Sequence, residues 1–297
     1  MKLTIGERSF QALNNLFLAL LAATALYPFI YMTALALNEG LDSVRGGIYL
    51  WPRTFTWVNV MTVLTNPLVR DAFWISVART VFGTALGVTV TGFAAYALSF
   101  RLLPGRRWLS IYFLIPMLFS GGLIPYYIVL RDLHLINTFW VYIIPTALSV
   151  WNLIVMRSFF ENIPEALIEA AEIDGANALT IFWTIVIPTS LPMLAAITLF
   201  TSVGHWNSWF DGAFFVNQLE LKPLQTFLQS MLANAEAAEN LRASTNAAAL
   251  TESASRAVTP TSLRMAVVVL GTLPVLLIYP FLQKYFVQGV LIGGVKG

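Results

Sequence analysis

Six stretches of this chain, at about 12–37, 72–98, 108–130, 138–157, 181–204 and 263–283, stay apolar for about twenty residues or more. Crossing about 30 Å of hydrocarbon takes about 20 helical residues. The windows therefore predict an all-α, polytopic membrane protein with six transmembrane helices, one transmembrane domain over 1–297. Composition agrees, with 58% hydrophobic residues, only 11% charged and a mean hydropathy of +0.73. A soluble domain carries about a quarter charged residues. A net charge of +2 leaves no basic surface for nucleic acid. Without cysteine there is no disulfide, thiolate metal site or cysteine nucleophile.

Lys2 and Arg8 precede the first window, and Ala23-Thr24-Ala25 imitates a signal-peptidase site. The run continues to Leu37, well past the about 7–15 apolar residues of a signal peptide. It is read as a retained span. Between windows, 38–71 is too polar to span, 99–107 is short and basic, and 131–137 is a tight turn. The long loop 205–262 contains the Ala/Asn/Glu/Ser-rich stretch 233–257, read as a possible helix outside the bilayer. Six spans put both termini on one side. Arg101, Arg106 and Arg107 in the second loop, against Arg131 alone in the third, favour cytoplasmic termini and a periplasmic 205–262 loop. Summed over all loops the two sides nearly tie, but long loops inform least.

Eight prolines recur in these stretches: Pro28, Pro116, Pro125, Pro145, Pro188, Pro192, Pro274 and Pro280. Each interior one deletes a backbone hydrogen bond and can kink its helix. Kinked helices suit a bundle that opens alternately to two sides, though ordinary kinks at helix ends read equally well. Gly83, Gly87, Thr91 and Ala95 recur every four residues, a face that another helix can approach closely. That helix belongs to this subunit, to a second copy or to a similar partner permease.

The segment 163–180 is polar, acidic and helix-capable, yet lies between two apolar windows. Its charge excludes it from lipid, so it is presented to water and suits docking of a soluble partner. Pro164 suits a first helical turn, and Glu165, Glu169 and Glu172 follow towards the positive end of the helix dipole. Ala166, Ala170 and Ala171 keep the surface slim, while Leu167, Ile168 and Ile173 add apolar grip. Gly175 after Asp174 marks a helix stop, with a second short helix from Ala176 to about Thr180.

Glu169-Ala170-Ala171, three residues, Gly175, nine residues and Ile185-Val186-Ile187-Pro188 resemble the EAA signature of membrane subunits of bacterial ABC importers. The one departure is Ile187 where leucine is usual, a volume-conserving change. Arg157-Ser158-Phe159-Phe160, Ile173-Asp174-Gly175-Ala176, Ala95-Tyr96-Ala97-Leu98-Ser99 and Gly293-Gly294-Val295-Lys296-Gly297 are similar to the polysaccharide and complex-sugar branch, which includes alginate importers. The resemblance covers nearly the whole chain except part of the loop near 233–260. It implies a sugar permease of the bacterial inner membrane working by alternating access. The implied partners are a cytoplasmic ATPase dimer, a second homologous permease, a periplasmic or extracellular solute-binding protein and membrane lipid. ATP and Mg belong to the ATPase, and this chain carries no cofactor. Glu165, Glu169, Ala170, Ala171, Asp174 and Gly175 become the ATPase-coupling residues. The tail from Gln283 reaches toward the ATPase or simply frays.

Arg79 lies about two turns into the second window, where an unpaired cation is costly. It contacts an anionic cargo such as a uronic-acid oligosaccharide, snorkels to the interface, or pairs with a partner subunit. Trp151, Asn152, Thr198, Thr201, Ser202, Trp206 and Asn207 offer aromatic faces and hydroxyl partners for a sugar path. Tryptophans also anchor at interfaces, and hydroxyls also join helices. His134 and His205 stand apart from other ligand-type residues, so neither marks a metal site. No G-x-x-x-x-G-K-[ST], G-x-S-x-G or H-E-x-x-H occurs, so no P-loop and no catalytic group is expected. Three rivals remain. They are an ion-driven transporter or channel, a membrane-embedded enzyme, and an ABC permease for peptides or amino acids.

Overall fold

The structure, a computed structural model, describes residues 4–233 and 258–294, with 279–294 as backbone only. The stretch 234–257 and the last residues of the tail, both singled out above, lie outside the described residues. The described chain is all-α, and it divides into two compact units, 1–70 with 228–273 and 71–227 with 274–297.

In the first unit, α1 (Ile5–Ala36) opens with a reciprocal cap. Thr4 Oγ1 accepts the Glu7 amide at 3.3 Å, and the Glu7 carboxylate accepts the Thr4 amide at 2.7 Å. Its apolar side chains from Phe10 to Ile30 stay exposed, as a lipid-facing helix requires. Beyond its end, α2 (Gly40–Val44) and α3 (Val58–Thr65) are held by buried side-chain amides. Asn59 Nδ2 donates to the carbonyls of Ala36 at 3.0 Å and Asn38 at 2.7 Å, satisfying groups that the end of α1 leaves open. Asn38 donates to Asp42 at 3.1 Å, and Asp42 accepts Arg53 at 3.0 Å.

In the second unit, α4 (Pro67–Ser99) is the long central helix. After it come α5 (Arg106–Leu118), α6 (Leu123–Asp132), α7 (Val150–Phe160), α8 (Glu165–Ile173), α9 (Ala178–Thr189), α10 (Leu191–Asn207) and α11 (Phe210–Phe214). A helix over 224–233, α12, leads out of it, and α13 (Pro260–Gly294) is the last. One apolar core joins Ala95, Tyr96 and Leu98 of α4, Leu153, Met156 and Phe160 of α7, and Ile181, Phe182 and Val186 of α9.

Among the described residues, α1, α4 and α13 are long and apolar enough to cross a bilayer unbroken. The window at 108–130 becomes α5 and α6, bent by 117° at 119–122, where Gly122 takes φ +82°. The window at 181–204 becomes α9 and α10, bent by 85°. Pro188 and Pro192 lack the amides that would continue the ladder, and a π turn at Phe182–Val186 absorbs the mismatch. Thr189 Oγ1 donates to the Ile185 carbonyl at 2.7 Å beside the bend. The window at 138–157 is a 3-10 turn at Phe139–Tyr142, an irregular stretch around Pro145, and then α7.

The small-residue face of α4 packs within the subunit. A Cβ on Gly83 would sit 2.5 Å from the His205 ring of α10, and one on Gly87 would sit 3.8 Å from the Thr201 methyl. Thr91 Oγ1 accepts the Ser149 amide at 3.3 Å, and Ala95 is fully buried. Gly83→Ala should therefore cost about 1–3 kcal/mol through overpacking. Gly204→Ala, where nothing lies within 4 Å of the new Cβ, should be far milder. Thermal unfolding in detergent checks this, and equal melting of the two variants would contradict it.

Candidate functional site

α8 is a nine-residue helix with two distinct sides. Ile168 and Ala171, with Ile163 before and Ala176 after, are half-buried against the core of α4, α7 and α9. Glu165, Ala166, Glu169, Ala170, Glu172 and Asp174 all face solvent. Ile173 is 85% exposed, and Leu167 and Leu179 are also open. An acidic surface thus carries apolar side chains with nothing over them among the described residues.

The stop after α8 is well built. The Ala176 amide donates to the Ala171 carbonyl at 2.9 Å, and the Gly175 amide to Glu172 at 3.0 Å. These two bonds form a Schellman turn, and Gly175 takes the φ of +83° that such a turn needs and that glycine tolerates best. Asn177 Oδ1 then accepts the Thr180 amide at 2.9 Å, capping α9. α9 runs on past Thr180 to the bend at Ser190, so α9 lies between the turn after α8 and α10. On its other flank α8 follows α7 by four residues, 161–164.

Hydropathy alone gave no hint of an ionic group beside α8. Glu161, the C-cap of α7, accepts both Arg106 and Arg157, the latter at 2.8 Å.

Deeper in the unit, Arg79 is 1% exposed, with bonds from its two terminal nitrogens and none from Nε. It donates to Asp211 at 2.6 Å and to the Ser208 carbonyl at 2.9 Å. Its guanidinium carbon lies 4.7 Å from the centre of the Tyr142 ring. Tyr142 is in turn fixed by its hydroxyl, which donates to the Leu221 carbonyl at 2.8 Å. Desolvating a guanidinium is costly, and the nearby carboxylate and ring face offset that cost. Asp211 and Tyr142 escaped the sequence reading because the ion pair spans 132 residues and no local spacing records it.

The polar and aromatic residues marked for a sugar path scatter in part. Asn152 Nδ2 donates to Thr201 Oγ1 at 3.2 Å, joining α7 to α10. Ser202 and Trp206 line a mostly apolar cavity of about 150 Å³ with Val77, Thr80 and Pro274. Thr198 is half-buried on α10, while Trp151 and Asn207 point to the outside. No group of three or more His, Asp or Glu side chains suited to a metal ion occurs among the described residues.

Residues 87–292 match the family model described as binding-protein-dependent transport system inner membrane component. The chain is 37% identical over 292 residues to a polygalacturonan/rhamnogalacturonan transport system permease protein, YtcP, of Bacillus subtilis, covering 98% of this chain and 99% of that one. It is 36% identical over 295 residues to protein LplC of the same organism, covering 99% and 97%. Among solved structures it superposes with a TM-score of 0.84 and 30% identity on a chain of a bacterial ABC transporter involved in import of the acidic polysaccharide alginate. That match covers 96% of this chain and 99% of the other.

Removing Asp211 leaves a guanidinium buried beside a ring with no counter-charge. Asp211→Ala should destabilise the protein by about 3–5 kcal/mol, and adding Arg79→Met should recover most of that loss. Melting of the purified variants tests the pair. A single Asp211→Ala variant as stable as the parent would contradict it.

Proposed function

The chain belongs to the family of binding-protein-dependent transport system inner membrane components, and from that membership we propose a specific role. It is the permease subunit of an ATP-driven importer that moves an acidic oligosaccharide or polysaccharide inward across the cell membrane. The observation that carries this is α8, a short acidic helix with open apolar side chains, seated between two membrane arms and ended by a rigid turn. Such a helix fits a groove on a soluble motor.

The subunit supplies no hydrolytic chemistry of its own. ATP and Mg reside in a cytoplasmic ATPase dimer, which grips Glu165, Glu169, Ala170, Ala171, Asp174 and Gly175. When that dimer closes, α8 is displaced. Its half-buried face, Ile168 and Ala171, presses on the core that α4, α7 and α9 share. The bent α9–α10 arm then tilts, and the path opens outward to receive cargo from a solute-binding protein. Hydrolysis resets it. Half of the path belongs to a second, homologous permease.

Orientation follows from charge. Arg101 lies in the short loop after α4, Arg106 and Arg107 open α5, and the Arg106–Glu161 pair ties this elbow to the end that bears α8. The positive-inside rule applied to these short loops favours that end on the cytoplasmic side, and with six crossings both termini share it.

The acidic cargo rests on the names of the relatives, one for polygalacturonan and rhamnogalacturonan and one for alginate. Within this chain the path is assigned to Asn152, Thr198, Thr201, Ser202 and Trp206, with Trp151 and Asn207 at its margins. Arg79 is held by Asp211 in this conformation, and it meets a carboxylate on the cargo only if that pair opens.

Reconstitution with the co-purified ATPase and binding protein tests the reading. Gly175→Val strains the turn and Glu169→Ala weakens the grip, so uptake per ATP should fall about tenfold in each, with insertion into the membrane intact. Full uptake in both variants, or no ATPase in the purified complex, would contradict it.

A further inference from the structure

The end of the second unit that bears α8 holds an ionic group that the account above leaves unused. Arg106 Nε donates to the Leu98 carbonyl at 2.8 Å, one of the carbonyls that the C-terminus of α4 leaves open. A second nitrogen of the same guanidinium reaches Glu161 at the end of α7. Glu161 also accepts Arg157 Nε at 2.8 Å, and Arg157 donates to Ser110 Oγ of α5 at 2.7 Å. Three helix ends, those of α4, α5 and α7, are thereby pinned to one carboxylate three residues before Pro164.

Taken singly, these ion pairs contribute little to stability. Arg106, Arg157 and Glu161 are each about a quarter to a third exposed. Pairs of that kind contribute about 0–1 kcal/mol. Their geometry is the stronger asset, because a planar guanidinium holds two acceptors in fixed directions, which lysine cannot do. Arg106 uses that fork to bridge a backbone carbonyl on one helix and a side chain on another.

We propose that Glu161, clamped by Arg106 and Arg157, is a strut that makes the α4–α5 elbow move as one body with α8. This deepens the importer reading and rests on it. Motion of α8 passes along the chain into α7 before it and α9 after it, and through apolar contact into the shared core. The strut adds a directional ionic link to the end of α4, the helix against which α9 and α10 pack. Apolar contact backs the ionic link, since Phe100 and Leu103 of the elbow pack on the same core as Ile163 and Ile168. These three charged residues are positioning residues and touch no cargo.

Because the chain has no cysteine, the strut can be replaced covalently. In the reconstituted complex, Arg106→Cys with Glu161→Cys should hydrolyse ATP within about twofold of the parent, while uptake per ATP falls about fivefold or more. Bridging the two thiols with a short bis-maleimide should restore the ratio to within about twofold of the parent, a recovery that a merely structural defect would not show. If the double variant does not assemble, Glu161→Gln is read by the same ratio, with the same fall expected. Parental coupling in the unbridged variant or in Glu161→Gln, or a bridged complex that stays uncoupled or blocked, overturns the strut while leaving the importer reading intact. A parent complex with no ATP-dependent uptake overturns the importer reading, and the strut falls with it.

Discussion

Charge is expensive in hydrocarbon, and the layout of this chain follows from that cost. Only 11% of its residues are charged, and most are gathered in loops and at helix ends. The two conspicuous departures are resolved in opposite ways. α8 keeps its carboxylates in water by interrupting the membrane arms for a surface helix. Arg79 stays buried and brings its own counter-charge, Asp211, with Tyr142 covering one face. A helix exposing three glutamates and an isoleucine between apolar arms has no use in lipid and must face water.

In the importer proposed, force applied to α8 needs arms that can pivot without losing backbone bonds. Pro188 and Pro192 break the ladder between α9 and α10, and a π turn at Phe182–Val186 precedes the break. The bend is therefore built into the fold and lies directly beyond the core on which α8 rests. Close contact between α4 and α10, from Gly83 under His205 to Gly87 near Thr201, ties the far arm of that bend to the central helix. Small residues on α4 thus let α10 pack closely against it.

Much of this was readable from the residues in order. Long apolar windows mark α1, α4 and α13, because hydropathy over about 20 residues is a local property. Gly175 after Asp174 marks the end of α8 for an equally local reason. The bends were less legible. Hydropathy does not distinguish a straight span from α5 and α6 folded by 117°, and it counted 138–157 as one window although Pro145 lies in an irregular stretch before α7. Least legible were the ionic partners. Arg79 meets Asp211 across 132 residues and Arg106 meets Glu161 across 55, and no sequence period encodes such pairs. Of the path residues, Asn152 and Thr201 are in contact, whereas Trp151 and Asn207 are turned outward.

The central claim is that the exposed face of α8 is cytosolic and covered by a nucleotide-driven partner. A single cysteine placed by Glu169→Cys in this cysteine-free chain reports both points through labelling with a membrane-impermeant maleimide. The account predicts no labelling in intact cells, ready labelling in inverted vesicles stripped of peripheral proteins, and protection when the ATPase is added back. Labelling from outside the cell, or labelling inside that the ATPase leaves unchanged, would contradict it.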